Sequence, residues 1–319
     1  MQVDLALAAL ISPWGLGVLG LMVGSFLNVV VYRLPASELR DWWRFDIADY
    51  ALADGRAWKA LLGPKVPPPP QLKAASDAIA GALDGLPLQT LVKPRSRCPH
   101  CGHVLRWYEN IPVISWLALR ARCSACAAPI SWRYPLVELS TAAAFAGCAA
   151  LYGASALAVV MCIASALLIV MALIDLDTTL LPESLTIPLI ALGLLAALVR
   201  WTPVPVAESM AGLLLGYGLL WSLGFIWKVL FRKPNAMAEG DMKMLGGLGA
   251  LLGWKLIPGL LMVSAGVGAV VGVSMMLFGG LKRETPIPFG PYLALAGLLG
   301  IFAPDTLLGF GDALDSLLR

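Results

Sequence analysis

Charge is scarce in this sequence. Asp, Glu, Lys and Arg make up 13% of its 319 residues, against the roughly 25% of soluble globular domains. That scarcity excludes an ordinary soluble enzyme of this length. Net charge is only +3, too little for the electrostatic footprint of a nucleic-acid binder. No basic region precedes the first apolar run and no cleavage site follows it, so Met1 to Asp4 is expected to lead into a retained span and not a removed signal peptide. No solenoid-type repeat is visible, and residues 33–138 hold no Gly-rich nucleotide loop. What is abundant is apolar: 59% hydrophobic residues and a mean hydropathy of +0.80 describe a polytopic membrane protein of all-α class.

A membrane helix needs about 20 mostly apolar residues, with about 17 as a floor. Leu5 to Tyr32 is uncharged and is the first span. Residues 33–138 then hold most of the charge, both His and four of the six Cys, and read as a water-facing domain. Within it Pro64 and Pro67 to Pro70 predict a stiff linker between residues 38–62 and the Cys-rich part. From Leu139 to Ile174 there is no charge for 36 residues, enough for two spans with a break near Tyr152-Gly153. Further uncharged runs are Ser184–Val199, Ser209–Trp227, Leu256–Leu281 and Thr285–Pro304. The first of these is short and must borrow Leu180 and Leu181. Met244 to Trp254 is shorter still, with four Gly, and is a short crossing, a re-entrant segment or a buried helix.

Orientation follows from the positive-inside rule. With eight crossings, the large domain and the loops at 175–183, 228–243 and 282–284 share one side. That side holds 20 of the 23 Lys and Arg and is therefore cytoplasmic. A re-entrant Met244–Trp254 gives the same ratio, so charge leaves the short segment open.

Cys98-x2-Cys101 and Cys123-x2-Cys126 are separated by 21 residues. Two such knuckles let four thiolates converge on one tetrahedral zinc, and a cytoplasmic domain is kept too reduced for disulfides. Four protein ligands leave no open position, so this metal folds the domain and does not catalyse. His100 and His103 beside the first knuckle read as ordinary loop residues, and Cys148 and Cys162 as small core residues.

Ionisable residues at the ends of apolar spans are functional candidates by default. Here they are Asp175, Asp177, Glu183, Glu239 and Asp241. Asp175 ends the third span and Asp241 opens the sixth segment, so topology brings both to the cytoplasmic face although 66 positions separate them. Two carboxylates in one site share a proton, which supplies a base and an acid for activating water on an amide. Gly240 would let the backbone approach a substrate closely. Helix-capping loop charges are the plainer reading of these residues, and a proton-coupled transporter would use the same carboxylates.

At these residues the sequence resembles the type IV prepilin peptidases, the bifunctional leader peptidase/N-methyltransferases of bacterial pilus and type II secretion systems. The resemblance runs over nearly the whole chain. It includes Gly24-Ser25-Phe26-Leu27-Asn28-Val29-Val30, Tyr32-Arg33-Leu34-Pro35, the two knuckles and Arg133-Tyr134-Pro135-Leu136-Val137-Glu138. Ile174-Asp175, Leu181-Pro182-Glu183, Gly240-Asp241-Met242-Lys243 and Pro286 to Tyr292 complete it. It implies catalytic roles for Asp175 and Asp241, with Gly240 and Lys243 shaping the neighbouring loop. It also implies about eight transmembrane helices, divided as a first span (1–34), a cytoplasmic zinc-binding domain (35–138) and a membrane-embedded aspartic peptidase core (139–319). The implied cofactors are structural zinc and S-adenosylmethionine, the latter with no binding residues that the sequence identifies. The implied substrate is a prepilin or pseudopilin, with no nucleic acid, processed in the bacterial inner membrane at its cytoplasmic face. A peptidase without methyl transfer is the nearest alternative. Two departures stand out. Ala238 replaces the first Gly of the family's Gly-x-Gly-Asp, and Ala121 stands where a Gly usually precedes the basic residue before the third Cys.

Overall fold

The computed structural model describes residues 10–43, 70–86, 90–231, 238–278 and 287–309. The linker prolines 64–69 and residues 44–62 lie outside them. The chain falls into two compact units, residues 29–105 and residues 1–28 with 106–319. Among the described residues the secondary structure is helical, apart from two isolated antiparallel bridges, Arg97–Val104 and Arg122–Pro129.

The helices in chain order are α1 (Pro13–Asp41), α2 (Pro70–Asp84), the short α3 (Ile114–Ala118), α4 (Arg133–Tyr152), α5 (Ala156–Thr178), α6 (Glu183–Leu198), α7 (Val206–Phe231), α8 (Glu239–Leu252), α9 (Ile257–Phe278) and α10 (Gly290–Phe302). By length and composition α1, α4, α5, residues Val206–Leu230 of α7 and residues Trp254–Phe278 are long and apolar enough to cross a membrane. The shorter apolar helices are α6 and α10. Helix α1 runs past the uncharged stretch, through Arg33 and Pro35, to Asp41. A helix with enough turns on either side continues through one proline by losing a single hydrogen bond.

The expected break after Tyr152 is present: Gly153 has φ +64° and Ser155 caps α5 by accepting from the Ala158 amide at 3.2 Å. One expectation is corrected. Leu180 and Leu181 do not extend the fourth span, because α5 ends at Thr179 in the left-handed region and Pro182 is the N-cap of α6. A residue before proline is pushed to extended backbone, so Leu181 is set between the helices and free to pack elsewhere.

Helix α8 is enclosed. Residues Met244 to Leu251 are all buried, and α6, α7 and α10 pack on them. Glycine makes that enclosure possible. A Cβ on Gly193 would come within 2.7 Å of the Leu251 amide, and one on Gly216 within 2.6 Å of the Leu245 carbonyl. Small residues at such crossings let membrane helices approach backbone to backbone, where packing replaces the hydrophobic effect as the driving force. Residues 244–252 of the short Gly-rich segment thus belong to this buried helix. The same device joins α1 to α4, where a Cβ on Gly20 or Gly24 would meet the Ala142 or Glu138 Cα at 2.7 Å.

Candidate active site and metal centre

The two Cys knuckles share one local conformation. In the first, the Cys98 amide bonds the His103 carbonyl and the Gly102 amide bonds the Cys98 carbonyl, each at 2.9 Å. In the second, the Cys123 amide bonds the Ala128 carbonyl at 2.8 Å and the Ala127 amide bonds the Cys123 carbonyl at 2.9 Å. The residue after the second Cys has positive φ in both, +73° at Gly102 and +57° at Ala127. All four Sγ atoms lie within 4.8 Å of one another. A tetrahedron with metal–sulfur bonds of about 2.3 Å has edges of about 3.8 Å, so the four thiols fit one metal ion such as zinc. Cys148 and Cys162 are buried in α4 and α5, as expected of core residues.

Asp175 occupies the last turn of α5 and is 4% exposed; Asp241 occupies the first turn of α8 and is 6% exposed. The two carboxylates interact electrostatically. Leu181 explains how their helices meet. It lies against Gly240, next to Asp241, so closely that a Cβ there would collide with its own Cβ. Its Cδ1 lies 3.2 Å from where a Cβ on Gly290 would stand. The backbone approach that Gly240 permits is therefore to Leu181. On the far side, the Gly290 amide at the start of α10 donates to Asp175 Oδ2 at 2.8 Å. Among the described residues Asp241 Oδ1 is buried without a hydrogen-bond partner, a state that costs free energy unless something binds there.

The surrounding charges are tied off. Lys243 reaches Glu183 at 2.5 Å and Glu239 at 2.8 Å, bridging the start of α6 to the start of α8. Asp177 points away from Asp175, as two positions on a helix must, about 200° apart. It forms a two-pronged pair with Arg133 of α4, at 2.9 and 2.8 Å. Ala238 has φ −73° and ψ 139°, extended backbone open to any residue, so position 238 itself requires no glycine. Ala121 differs: its φ of +57° lies in the left-handed region, where glycine is favoured.

In the sequence Gly290 and Leu181 stand within motifs, Leu181 reading as span material, and nothing there marks either as part of the site. Their signal is tertiary, since both act by where another helix's carboxylate or backbone arrives. Arg133 carried a weak signal, as a lone cation opening an apolar span.

Residues 18–152 match the bacterial peptidase A24 N-terminal domain, and residues 162–273 match the type IV leader peptidase family. The chain is 41% identical over 287 residues to the prepilin leader peptidase/N-methyltransferase of Burkholderia pseudomallei, covering 89% of this chain and 83% of that protein. It is 41% identical over 290 residues to the protein of the same name from Stutzerimonas stutzeri, covering 91% and 90%. The corresponding figures for that of Pseudomonas aeruginosa are 39% over 289 residues, 91% and 89%. No solved structure matches. With its two buried aspartates and relatives this similar along most of its length, the chain belongs to the type IV leader peptidase family.

Proposed function

We propose that the chain removes the leader of type IV prepilins or pseudopilins and then N-methylates the new N-terminus, with Asp175 and Asp241 as the catalytic pair. The observation that carries the peptidase reading is that two buried carboxylates lie within electrostatic range of each other, with Asp241 Oδ1 lacking a partner among the described residues. A transporter has no support among the relatives. In the reaction the pair shares one proton. The ionised carboxylate takes a proton from water, and the water oxygen bonds to the carbonyl carbon of the scissile amide. The other carboxyl gives its proton to the carbonyl oxygen. Collapse of the tetrahedral intermediate breaks the C–N bond, and the nitrogen leaves as an amine after taking up a proton. The Gly290 amide fixes one oxygen of Asp175 and leaves the other for water. Gly240 and Lys243 hold the facing segments together. Cleavage of a purified prepilin by the reconstituted enzyme and its Asp→Asn variants tests this reading.

The proposed topology has eight helical crossings: α1, α4 to α7, α8, α9 and α10. Five long helices, two shorter apolar ones and the buried α8 support it. Residues 1–34 would be the first span, 35–138 the cytoplasmic domain and 139–319 the peptidase core. The Lys and Arg distribution supports a cytoplasmic large loop and active site in the inner membrane. Zinc held by Cys98, Cys101, Cys123 and Cys126 would cross-link two loops and so fold them. Methyl transfer requires S-adenosylmethionine, as the relatives' shared name suggests. Nothing in the described residues singles out a cradle for that cofactor.

A further inference from the structure

The segment 106–132, between the first knuckle and α4, exposes an unusual set of side chains. Trp107 is 77% exposed, Ile114 64%, Leu117 62% and Trp132 68%. Ile114 and Leu117 are three apart on α3 and so share one side of that helix. A loop facing water has no reason to present two tryptophans and two large aliphatics; clustered exposed apolar residues mark a surface that meets something.

The charges say what. Glu109 is the one carboxylate in the segment, and it is turned inward, accepting from the Arg106 amide at 2.7 Å and from the Ser124 hydroxyl. The next carboxylate, Glu138, is also buried and accepts from the Val113 amide at 2.7 Å. The charges left on the outside are Arg106, Arg120 and Arg122, all positive. Aromatic and aliphatic tips among arginines, with no exposed anion, match the chemistry of an anionic lipid headgroup layer. The surface is also continuous with lipid-facing helix, because Trp132 leads directly into α4, whose Leu136 and Leu139 are exposed.

We infer that residues 106–132 form a peripheral membrane surface, with Trp107, Ile114, Leu117 and Trp132 seated among the headgroups and Arg106, Arg120 and Arg122 bound to anionic phospholipid. The sequence alone placed this stretch in water. Seated in this way, the knuckle of Cys123 and Cys126 lies at headgroup depth, close to where a membrane-borne substrate emerges.

The test is site-specific photocrosslinking in the full-length protein. Benzoylphenylalanine is placed at 107, 114 or 117, and the protein is reconstituted in nanodiscs of phosphatidylethanolamine with phosphatidylglycerol. Metal content checks that each variant is folded, and three positions guard against the failure of one. Lipid adducts are expected at all three, with yields several-fold lower when phosphatidylcholine replaces phosphatidylglycerol. Arg106→Glu with Arg120→Glu should lower the yield similarly in the anionic discs. Adducts to a second copy of the chain, or no adducts, would overturn the proposal. Lipid adducts indifferent to both phosphatidylglycerol and the arginine changes would overturn the role given to the charges.

Discussion

The backbone amide of Gly290 donates to Oδ2 of Asp175 at 2.8 Å, joining two residues 115 positions apart and two helices at the proposed site. A Cβ at 290 would stand 2.7 Å from that oxygen and 3.2 Å from Leu181 Cδ1. Gly290→Ala should therefore insert and fold but displace the carboxylate. Cleavage is expected to fall about 10- to 100-fold, since small misplacements of catalytic groups have effects of that order. Initial rates on a purified prepilin measure it; an unchanged rate would show that the amide contact is dispensable.

Asp177 provides the internal contrast. Because Arg133 holds it away from the pair, Asp177→Asn should keep substantial activity, whereas Asp175→Asn should lose it entirely. A pair sharing one proton also gives a bell-shaped rate profile: activity falls at low pH when both carboxyls are protonated, and at high pH when neither is. The pH dependence of kcat/KM checks the shape. A profile rising to a plateau with no descending limb would mean that one carboxylate works alone.

Lys243 bridges Glu183 and Glu239, whose side chains are exposed, so its ion pairs add little stability, about 1 kcal/mol or less. Its substitution should accordingly show in catalysis more than in folding. Lys243→Met is expected to lower cleavage roughly tenfold, the scale of a small displacement of catalytic groups, while thermal unfolding moves little. Lys243→Arg should recover part of the activity. Equal losses in stability and rate for Lys243→Met would reduce the residue to a structural one.

The second knuckle predicts a stabilising change. Ala121 and Ala127 both have φ +57°, and the position equivalent to Ala127 in the first knuckle is Gly102, at φ +73°. An L-residue in that region costs roughly 1–2 kcal/mol, partly offset by glycine's greater freedom in the unfolded chain. Ala121→Gly and Ala127→Gly should each stabilise this loop by up to about 1 kcal/mol. The readout is the chelator concentration that releases the metal; easier release from either variant would contradict the prediction.

Metal analysis should find one zinc per chain, lost together with the fold of the loop in Cys98→Ser and Cys126→Ser, because binding and folding of such sites are coupled. Proteolysis within residues 90–135 should then precede failure of the membrane helices.

The aspartates and cysteines could be read from sequence because both signals are local and stand against a quiet background. A carboxylate ending an apolar run is conspicuous, and so is a Cys spacing fixed by metal geometry. What escaped depends on tertiary approach. Leu181 looked like span material, but Pro182 removes it from the helix and the gap beside Gly240 receives it. The short Gly-rich segment at 244–254 was ambiguous because its glycines serve neighbouring helices, which a single-segment reading does not include. Ala238 departs from a motif read as letters, whereas its extended backbone needs no glycine, and backbone angles are not written in a sequence.

The most direct test of the central claim is mass spectrometry of the pilin N-terminus after reaction with reconstituted enzyme and S-adenosylmethionine. Two substrates are supplied, intact prepilin and pilin already freed of its leader. The unmutated enzyme should cleave the first and methylate both resulting N-termini. Asp241→Asn should leave intact prepilin uncut and unmethylated, yet methylate the pre-cleaved pilin at near the normal rate. Leader cleavage by either the Asp175→Asn or the Asp241→Asn enzyme at close to the unmutated rate would contradict the assignment of the pair.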